Sequence, residues 1–243
     1  MMYFWIIFLI LTIWGPCWIL ATKQVDFKAD YRTANRDSTG LAPQPHMYRD
    51  AVIQAYAARA WSWRGVFASH TWLAVKPKDA DYYIVYQVMG WRGYYNLPVL
   101  AIEAGVPDRY WYNSKPKLLL DIRGEKAQQL IPKVDAAARS YPYPNQYTLW
   151  PGPNSNTLPA YVGRKVPELR LALPSDAIGK DFLPANAFFA RAPSGTGFQL
   201  SLGGVFGITL ALKEGIELNF LGFTYGIGFA PFGIKLPGRD LGM

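Results

Sequence analysis

The fold is decided by the stretch Val66–Met89, which has the sequence VFASHTWLAVKPKDADYYIVYQVM. Apolar and β-branched residues over Val66–Val75, and again over Asp81–Met89, predict two strands. The connection Lys76-Pro77-Lys78-Asp79 contains the turn formers Pro and Asp, which favours a tight turn and antiparallel pairing. The centre of the chain is therefore expected to form a mostly antiparallel sheet.

Outward from this unit, helical and extended segments are mixed. The apolar spacing in 47–61 predicts a helix, and a further short strand is expected at Lys117–Ile122. The Ala, Leu, Gln and Lys content of Glu125–Arg139 predicts a second helix, which Pro132 kinks or splits. A third helix is expected to run from Ser155 or Asn156 towards Lys165. The predicted fold class is α+β, a mostly antiparallel sheet with packed helices.

The C-terminal third is rich in glycine and apolar residues. Phe198–Leu212 contains no charged residue, but it is short for a membrane span and Gly203-Gly204 interrupts it. We expect two paired strands, Phe198–Leu212 and Ile216–Phe223, with a turn at Lys213-Glu214-Gly215. A re-entrant or membrane-resting hairpin is the functional alternative.

The N-terminal segment predicts a membrane anchor. Residues 1–22 carry no charged side chain, and about 20 apolar residues suffice to cross a bilayer. A cleaved secretory signal is less favoured because no Lys or Arg precedes the apolar run. The expected organisation is a transmembrane anchor or signal-anchor at 1–22, a polar linker at 23–45 and a single α+β domain at 46–243.

The expected location is the bacterial inner membrane, crossed once, with membrane lipid as the partner of this helix. The sequence carries two opposing signals for the side of the membrane on which the body lies. Basic residues such as Lys23, Lys28 and Arg32 follow the segment, which by the positive-inside rule favours the cytoplasm. A signal-anchor that leads an exported domain favours the periplasm, which is the preferred location.

Composition excludes several classes of function. The 243 residues include one Cys and two His, so disulfide frameworks, Cys-rich zinc sites and three-His metal sites are excluded. No metal site and no cofactor are predicted. The formal net charge of +8 comes with only 17% charged residues and no dense basic cluster, so nucleic acid is not an expected partner.

The strongest candidates for chemistry are His70 and Ser155. His70 lies in a predicted strand, and Ser155 lies where a proline-rich loop meets a predicted helix start. Backbone N–H groups and the positive end of a helix dipole converge at such a position, which suits an oxyanion site. The alternative is structural, because Asn154, Ser155 or Asn156 would also serve as an N-cap and His70 as a core histidine.

Several of these stretches resemble one uncharacterised bacterial family, the domain of unknown function 3750. The resembling stretches are Tyr31–Arg36, Trp63–Lys76, Trp150–Thr157, Ala177–Phe182, Ser194–Gly197, Glu214–Asn219 and Lys235–Gly238. The resemblance covers roughly Tyr31–Arg239 and implies a bacterial envelope or membrane protein, without implying an activity.

A shorter resemblance implies chemistry. The order His-Thr, then Asn-x-Asn-Thr-hydrophobic, then Val-Pro is similar to circularly permuted papain-like thiol hydrolases of the PPPDE and NlpC/P60 type. It assigns His70 to the catalytic histidine and Ser155 to the position of the nucleophilic cysteine. A helix N-terminus that makes a thiolate does not ionise a serine, so the orienting group matters more. Gln87, or alternatively Asp81, is the candidate for that third role.

Two functions follow from this resemblance. The first is a non-catalytic papain-like module that binds a peptide, glycan or lipid ligand in the cleft that corresponds to the catalytic cleft of these hydrolases. Its candidate binding residues are Asn154, Asn156, Trp72 and Trp150. The second is a Ser/His acyl hydrolase or acyltransferase that uses the same cleft. A purely structural envelope protein, whose aromatic residues serve lipid or partner contact, is a third possibility.

Overall fold

The protein is described by a computed structural model that covers residues 2–184, 187–229 and 231–242. Its first sheet has five strands, which are ordered β4-β3-β2-β1-β5 with every neighbouring pair antiparallel. The strands are β1 (Val52–Arg59), β2 (Ser69–Lys76), β3 (Ile84–Val88), β4 (Leu100–Ala104) and β5 (Lys117–Arg123). The α+β class and the antiparallel strand–turn–strand unit at the centre of the chain are confirmed.

Both faces of this sheet are covered. On one face, Leu73 and Val75 pack with helices α2 (Glu125–Arg139) and α3 (Thr157–Lys165). On the other face, Trp72 and Ala74 pack with Trp111 and with residues between Leu41 and Tyr48. Since successive side chains of a strand point to opposite faces, β2 is buried along its whole length.

The helix predicted over 47–61 is wrong, because this segment contains β1. All residues of β1 except Arg59 are buried, and it lies at the centre of the sheet between β2 and β5. A strand that is covered on both faces has no alternation of apolar and polar residues. The apolar positions Val52, Ile53 and Tyr56 therefore matched a helical spacing by coincidence.

The second sheet is a seven-stranded antiparallel meander in chain order, formed by residues near the C-terminal end of the described chain. Its strands are β6 (Phe189–Arg191), β7 (Gly197–Leu202), β8 (Phe206–Ala211), β9 (Gly215–Phe220), β10 (Phe223–Phe229), β11 (Phe232–Leu236) and β12 (Arg239–Leu241). Phe198–Leu212 was expected to be one strand but forms β7 and β8. Gly203 and Gly204 make the turn between them with φ angles of 61° and 77°, which glycine adopts without steric cost.

The covered face of the second sheet is polar. Gln199, Thr209 and Glu217 are each at most 3% exposed on this face. The Glu217 carboxylate accepts hydrogen bonds from Lys180 and Lys235, with the Lys180 Nζ at 2.7 Å. Burial alone raises the pKa of Glu217, but the two ammonium groups outweigh it and lower that pKa below its usual value.

The N-terminal helix α1 (Met2–Ala21) packs against the second sheet. The ring of Phe8 lies 5.5 Å from that of Phe220, and the Thr12 hydroxyl lies 2.7 Å from the Tyr225 hydroxyl. Most other apolar side chains of α1 are exposed. Within the described ranges, no helix has both the length and the hydropathy of a membrane span. The predicted anchor includes Met1 and the Phe4 side chain, which lie outside the described residues.

Residues 23–45, which the sequence predicts to be a linker, make specific contacts with the β4–β5 connection and with one face of the first sheet. The Asp108 carboxylate accepts hydrogen bonds from the Ser38 hydroxyl at 2.8 Å and from the Leu41 N–H at 2.6 Å. Leu41 and Ala42 pack against the apolar cluster on that face. The segment therefore covers the face of the sheet that carries Trp72.

Candidate functional site

A cavity of about 710 Å³ lies at the end of the first sheet where β2 begins. It is bounded by residues from the β1–β2 and β3–β4 connections, from the proline-rich loop and from the start of β10. Among the described residues, aromatic side chains dominate the lining, and Arg64 is its single charged residue. The aromatic lining residues are Trp61, Trp63, Phe67, Trp91, Tyr94, Trp111, Tyr112, Tyr147, Trp150 and Phe223. Such a lining suits a ligand with apolar surface.

His70 lies near the start of β2 and lines this cavity. Its imidazole stacks on Trp111 with the ring centroids 3.7 Å apart, and the residue is 5% exposed. The Nε2 atom is buried and has no hydrogen-bond partner in the described structure. Burial, assisted by the positive charge of Arg109, lowers the pKa of His70 from 6.5 to about 3, so the ring is neutral at pH 7.

Gln87 lies on β3, on the same face of the sheet as His70. Its Oε1 atom accepts a hydrogen bond from the Arg109 Nη2 at 3.2 Å, and its interaction with His70 opposes the lowering of the histidine pKa. Gln87 is 2% exposed and lies behind His70 rather than in the cavity lining. Asp81, the other candidate for the orienting role, is exposed near the strand end that pairs with Val75, far along β2 from His70.

Ser155 lies two residues before the first residue of α3 and also lines the cavity. The turn that starts this helix is held by Asn154, whose Oδ1 accepts from the Asn156 N–H at 2.9 Å. The Thr157 hydroxyl accepts from the Asn154 N–H at 3.0 Å. In the part of the chain that the structure describes, the Ser155 hydroxyl makes no hydrogen bond. Asn154 therefore stabilises the turn that precedes the helix, whereas Asn156, which occupies the N-cap position, makes no side-chain capping hydrogen bond.

Asn156 joins the helix start to β2. Its Oδ1 accepts from the Thr71 hydroxyl at 2.9 Å, and its Nδ2 donates to the Ser69 carbonyl at 2.9 Å. Because neighbouring side chains alternate along a strand, Thr71 points towards α3 while His70 points to the opposite face. His70 and Ser155 both line the cavity, and no hydrogen bond joins them within the described residues.

The two tryptophans predicted to bind ligand differ in position. Trp150 is 48% exposed in the cavity lining, and its indole N–H donates to the Leu221 carbonyl at 3.0 Å. Trp72 is 1% exposed and donates to the Pro107 carbonyl at 2.7 Å, in the apolar cluster behind His70. The structure therefore brings His70, Asn154, Ser155, Asn156 and Trp150 together around the cavity, and it leaves Gln87 and Trp72 outside its lining.

Sequence reasoning missed most of the aromatic lining. Trp111, Tyr112 and Tyr147 come from irregular segments, and Tyr94 comes from a short 3₁₀ helix, so no periodicity marks them. The repeated tripeptide Trp-Arg-Gly was an available signal, since both copies lie in short 3₁₀ helices that connect strands and contribute Trp63, Arg64 and Trp91 to the lining. The described residues include no group of three His, Cys, Asp or Glu side chains able to hold a metal ion.

Comparison with protein families matches residues 50–182 to the family described as "Protein of unknown function (DUF3750)". The matched region contains the whole first sheet, α2, α3 and every cavity residue except Phe223. Comparisons with curated proteins and with solved structures find no match.

Proposed function

We propose that this chain, which belongs to the DUF3750 family of proteins of unknown function, is a membrane-anchored ligand-binding module of the bacterial envelope. The observation that carries the proposal is the aromatic cavity, with the neutral His70 in its lining. The buried Nε2 of His70 makes no hydrogen bond within the described residues, and a buried polar atom without a partner costs about 1–3 kcal/mol. A ligand polar group that reaches this nitrogen would recover that free energy.

The membrane anchor in this proposal is α1. Its side chains carry no charge, and Trp5, Ile7, Leu9 and Ile10 are among the many that are more than half exposed. Burial of each large apolar side chain stabilises by about 1.5–3 kcal/mol, which favours a lipid environment for this helix. We place it in the inner membrane, with the body on the periplasmic side.

Carbonate extraction tests the anchor. We expect the full-length chain to stay in the membrane pellet at high pH, and protease added to intact spheroplasts to digest the body. Release of the chain by carbonate contradicts the anchor. Protection of the body until the spheroplasts are lysed places it in the cytoplasm instead.

Among the ligand classes that the sequence leaves open, the cavity favours a lipid. The described part of the lining contains no acidic residue and one cation, which suits an apolar chain with a neutral or singly anionic head group. Phe223 lines the cavity and also begins β10, where it pairs with Phe220 on the uncovered face of the second sheet. The cavity therefore borders an apolar surface from which an acyl chain could enter.

Photocrosslinking tests this ligand class. The full-length chain in phosphatidylethanolamine–phosphatidylglycerol vesicles is irradiated with a diazirine fatty acid, and the adducts are mapped by peptide mass. We expect adducts on the segments around Trp63 and Trp91, and several-fold fewer in the variant Trp91→Ala. The matched control is Tyr82→Ala, which removes an aromatic ring that is 50% exposed outside the cavity. Equal labelling of both variants, or no adduct in these segments, contradicts lipid binding.

The proposal also includes a relationship between this domain and papain-like hydrolases. It is supported by the hydrogen bond between Thr71 and Asn156, which joins the His-Thr strand to the Asn-Ser-Asn-Thr helix start. We propose that the cleft is non-catalytic, because no hydrogen bond joins His70 and Ser155 within the described residues. Ser155→Cys tests the relationship, since a papain-like site lowers the thiol pKa and gives rapid iodoacetamide labelling near neutral pH. The background variant is Cys17→Ser.

The second candidate function is a Ser/His acyl hydrolase. The specific observation in its favour is that the neutral imidazole of His70 and the unbonded hydroxyl of Ser155 line one cavity. Hydrolysis requires these groups to approach within hydrogen-bond reach when substrate binds. A fluorophosphonate probe that labels wild type at Ser155, but neither Ser155→Ala nor His70→Ala, establishes the hydrolase. Absence of labelling in all three forms supports the binding module.

A further inference from the structure

We propose that the uncovered face of the seven-stranded sheet is a second lipid-contacting surface, which lies in the bilayer beside α1. The inference goes beyond ligand binding in the cavity, and it rests on the membrane association proposed above. The occupant of this face is the phospholipid bilayer itself, in particular one that contains anionic head groups.

The first observation is that the sheet buries its polar side chains and exposes its apolar ones. In β9, Glu217 and Asn219 are 3% and 7% exposed on the covered face, whereas Leu218 between them is 51% exposed. The neighbouring strand β8 repeats the pattern, with Thr209 3% exposed between Ile208 and Leu210 at 43% and 55%. A half-covered sheet in water has the opposite arrangement, with apolar residues inside and polar residues outside.

The second observation is the extent and uniformity of this face. Fourteen large apolar side chains in its strands are each at least 39% exposed. They are Phe189, Phe198, Leu200, Leu202, Phe206, Ile208, Leu210, Ile216, Leu218, Phe220, Ile227, Phe229, Phe232 and Ile234. Strands of three to seven residues, at ~3.3 Å per residue and ~4.8 Å between strands, give an area on the order of 600 Å². A contiguous apolar patch of this size marks an interaction site.

The position of charge on this face supports a bilayer rather than another protein. Among the described residues, the charged side chains that share the face are Arg191 and Arg239, which lie in the two edge strands β6 and β12. Arg239 also lies 4.3 Å from the ring of Trp18 and 5.9 Å from that of Trp14 in α1. Arginine and tryptophan together are typical of the head-group level, where the cation meets anionic phosphate.

The third observation is continuity with α1. Phe8 contacts both Phe220 and Tyr225 on this face, with ring centroids 5.5 Å and 5.4 Å apart. The helix covers only the part of the face near β10 and β11, and its own uncovered residues extend the same apolar surface. When α1 lies in the hydrocarbon region, the sheet packed beside it reaches the same lipid.

Site-specific fluorescence tests this proposal on the full-length chain in phosphatidylethanolamine–phosphatidylglycerol vesicles. In a Cys17→Ser background, an environment-sensitive dye is attached in the variants Leu218→Cys and Ile208→Cys. The control is Lys126→Cys on the exposed side of α2. We expect a blue-shifted emission at both sheet positions, quenching by doxyl lipids, and several-fold weaker quenching by iodide than at the control.

Two results would overturn the proposal. The first is iodide quenching at the sheet positions equal to that at the control. The second is protection from iodide that disappears when the protein is diluted into excess lipid, which identifies a second copy of the chain as the occupant. Two sheet positions are used so that one poorly folded variant does not decide the outcome. A dye on the native Cys17 reports on α1 separately: shielding there without shielding of the sheet refutes only this inference, and exposure at both places also refutes the anchor.

Discussion

The two sheets bury opposite kinds of residue. The five-stranded sheet buries apolar side chains on both faces, and its interior is exemplified by Leu73 and Val75, which are both 0% exposed. The seven-stranded sheet buries Glu217, Gln199 and Lys235 and leaves its apolar residues uncovered. Each sheet is antiparallel throughout, and the period of the side chains is the same in both.

The difference shows that an alternating strand sequence identifies which residues share a face. It does not identify which of the two faces is buried. In the first sheet, helices and the 23–45 segment supply apolar partners for both faces. In the second sheet, the segment that contains Lys180 and Asp181 covers one face. The polar side chains of the strands lie on that face, where Glu217 accepts a hydrogen bond from Lys180. The surroundings, rather than the strand pattern, decide which face is the interior.

The largest expected effect concerns the polar interior of the second sheet. The variant Glu217→Leu leaves Lys180 and Lys235 buried without their shared carboxylate, and we expect a loss of about 3–5 kcal/mol in the free energy of unfolding. The control Glu103→Gln removes the half-exposed partner of Arg92 and should cost less than about 1 kcal/mol. Urea unfolding of the full chain in detergent micelles measures both, and equal losses would contradict a buried ionic network.

The second prediction compares one leucine from each sheet. Leu73→Ala creates a cavity in the first core and should cost about 2–5 kcal/mol. Leu218→Ala changes a side chain that is 51% exposed and should alter the free energy of unfolding by less than about 0.5 kcal/mol. The same unfolding measurement checks both variants, and a large loss for Leu218→Ala would place that side chain in a protein core.

The third prediction concerns the pH ranges in which a residue of each sheet affects the free energy of unfolding. Because the folded pKa of His70 is about 3 and its unfolded pKa is 6.5, the unfolded chain binds a proton below pH 6.5 while the folded chain does not. The free energy of unfolding should therefore fall by about 2 kcal/mol between pH 7 and pH 5, because of a histidine in the first sheet. Glu217, in the second sheet, affects stability only below about pH 4.5, which is its ordinary pKa. As the pH falls further, protonation of this carboxylate removes the stabilisation that it provides.

The measurement is urea unfolding at pH 7 and pH 5 for wild type and for His70→Phe, which keeps a ring against Trp111. The difference between the two proteins should change by ~2 kcal/mol over this interval. His46→Gln, at an exposed histidine, should behave as wild type. A difference that does not change with pH would show that His70 is not buried in its neutral form.

The smallest expected effect concerns the loop that connects the cavity to α3. Asn154→Ala removes the acceptor of the Asn156 N–H and should cost about 1 kcal/mol, as is typical for the loss of a hydrogen bond. Ser155→Ala, whose hydroxyl takes no part in that turn, should cost less than about 0.5 kcal/mol. If Ser155→Ala is the more damaging change, the role assigned to Asn154 in this turn is wrong.

Part of the fold was predictable because local signals agreed with the tertiary environment. The sequence at Glu125–Arg139 predicts α2 with its bounds, because helix-forming residues and an amphipathic stripe coincide there. The strand β2 was predictable from its apolar and β-branched residues. β1 was not, because burial on both faces removes the alternation that distinguishes a strand from a helix.

The site was predictable only where a motif marks it. His70 and Ser155 stand in recognisable short sequences, and both line the cavity. The ring that stacks on His70 comes from Trp111, some forty positions away in a segment without periodicity. The alternation in β7–β9 was present in the sequence, but it does not state which set of residues faces inwards. That information lies in Lys180 and Asp181, which only the tertiary structure brings to the strands.

The contact between α1 and the second sheet has a consequence for synthesis. Thr12 and Tyr225 are 213 positions apart, so α1 leaves the ribosome roughly 10–40 s before its partner strand exists at typical elongation rates. Closing a loop of that length also costs on the order of 5 kcal/mol of chain entropy, which delays docking until the sheet has formed. During this interval the helix lacks its β10 partner, although the 3₁₀ helix Ser62–Val66, which α1 also contacts, emerges earlier. If α1 is the membrane anchor proposed above, its early insertion into the bilayer would prevent aggregation of its apolar side chains.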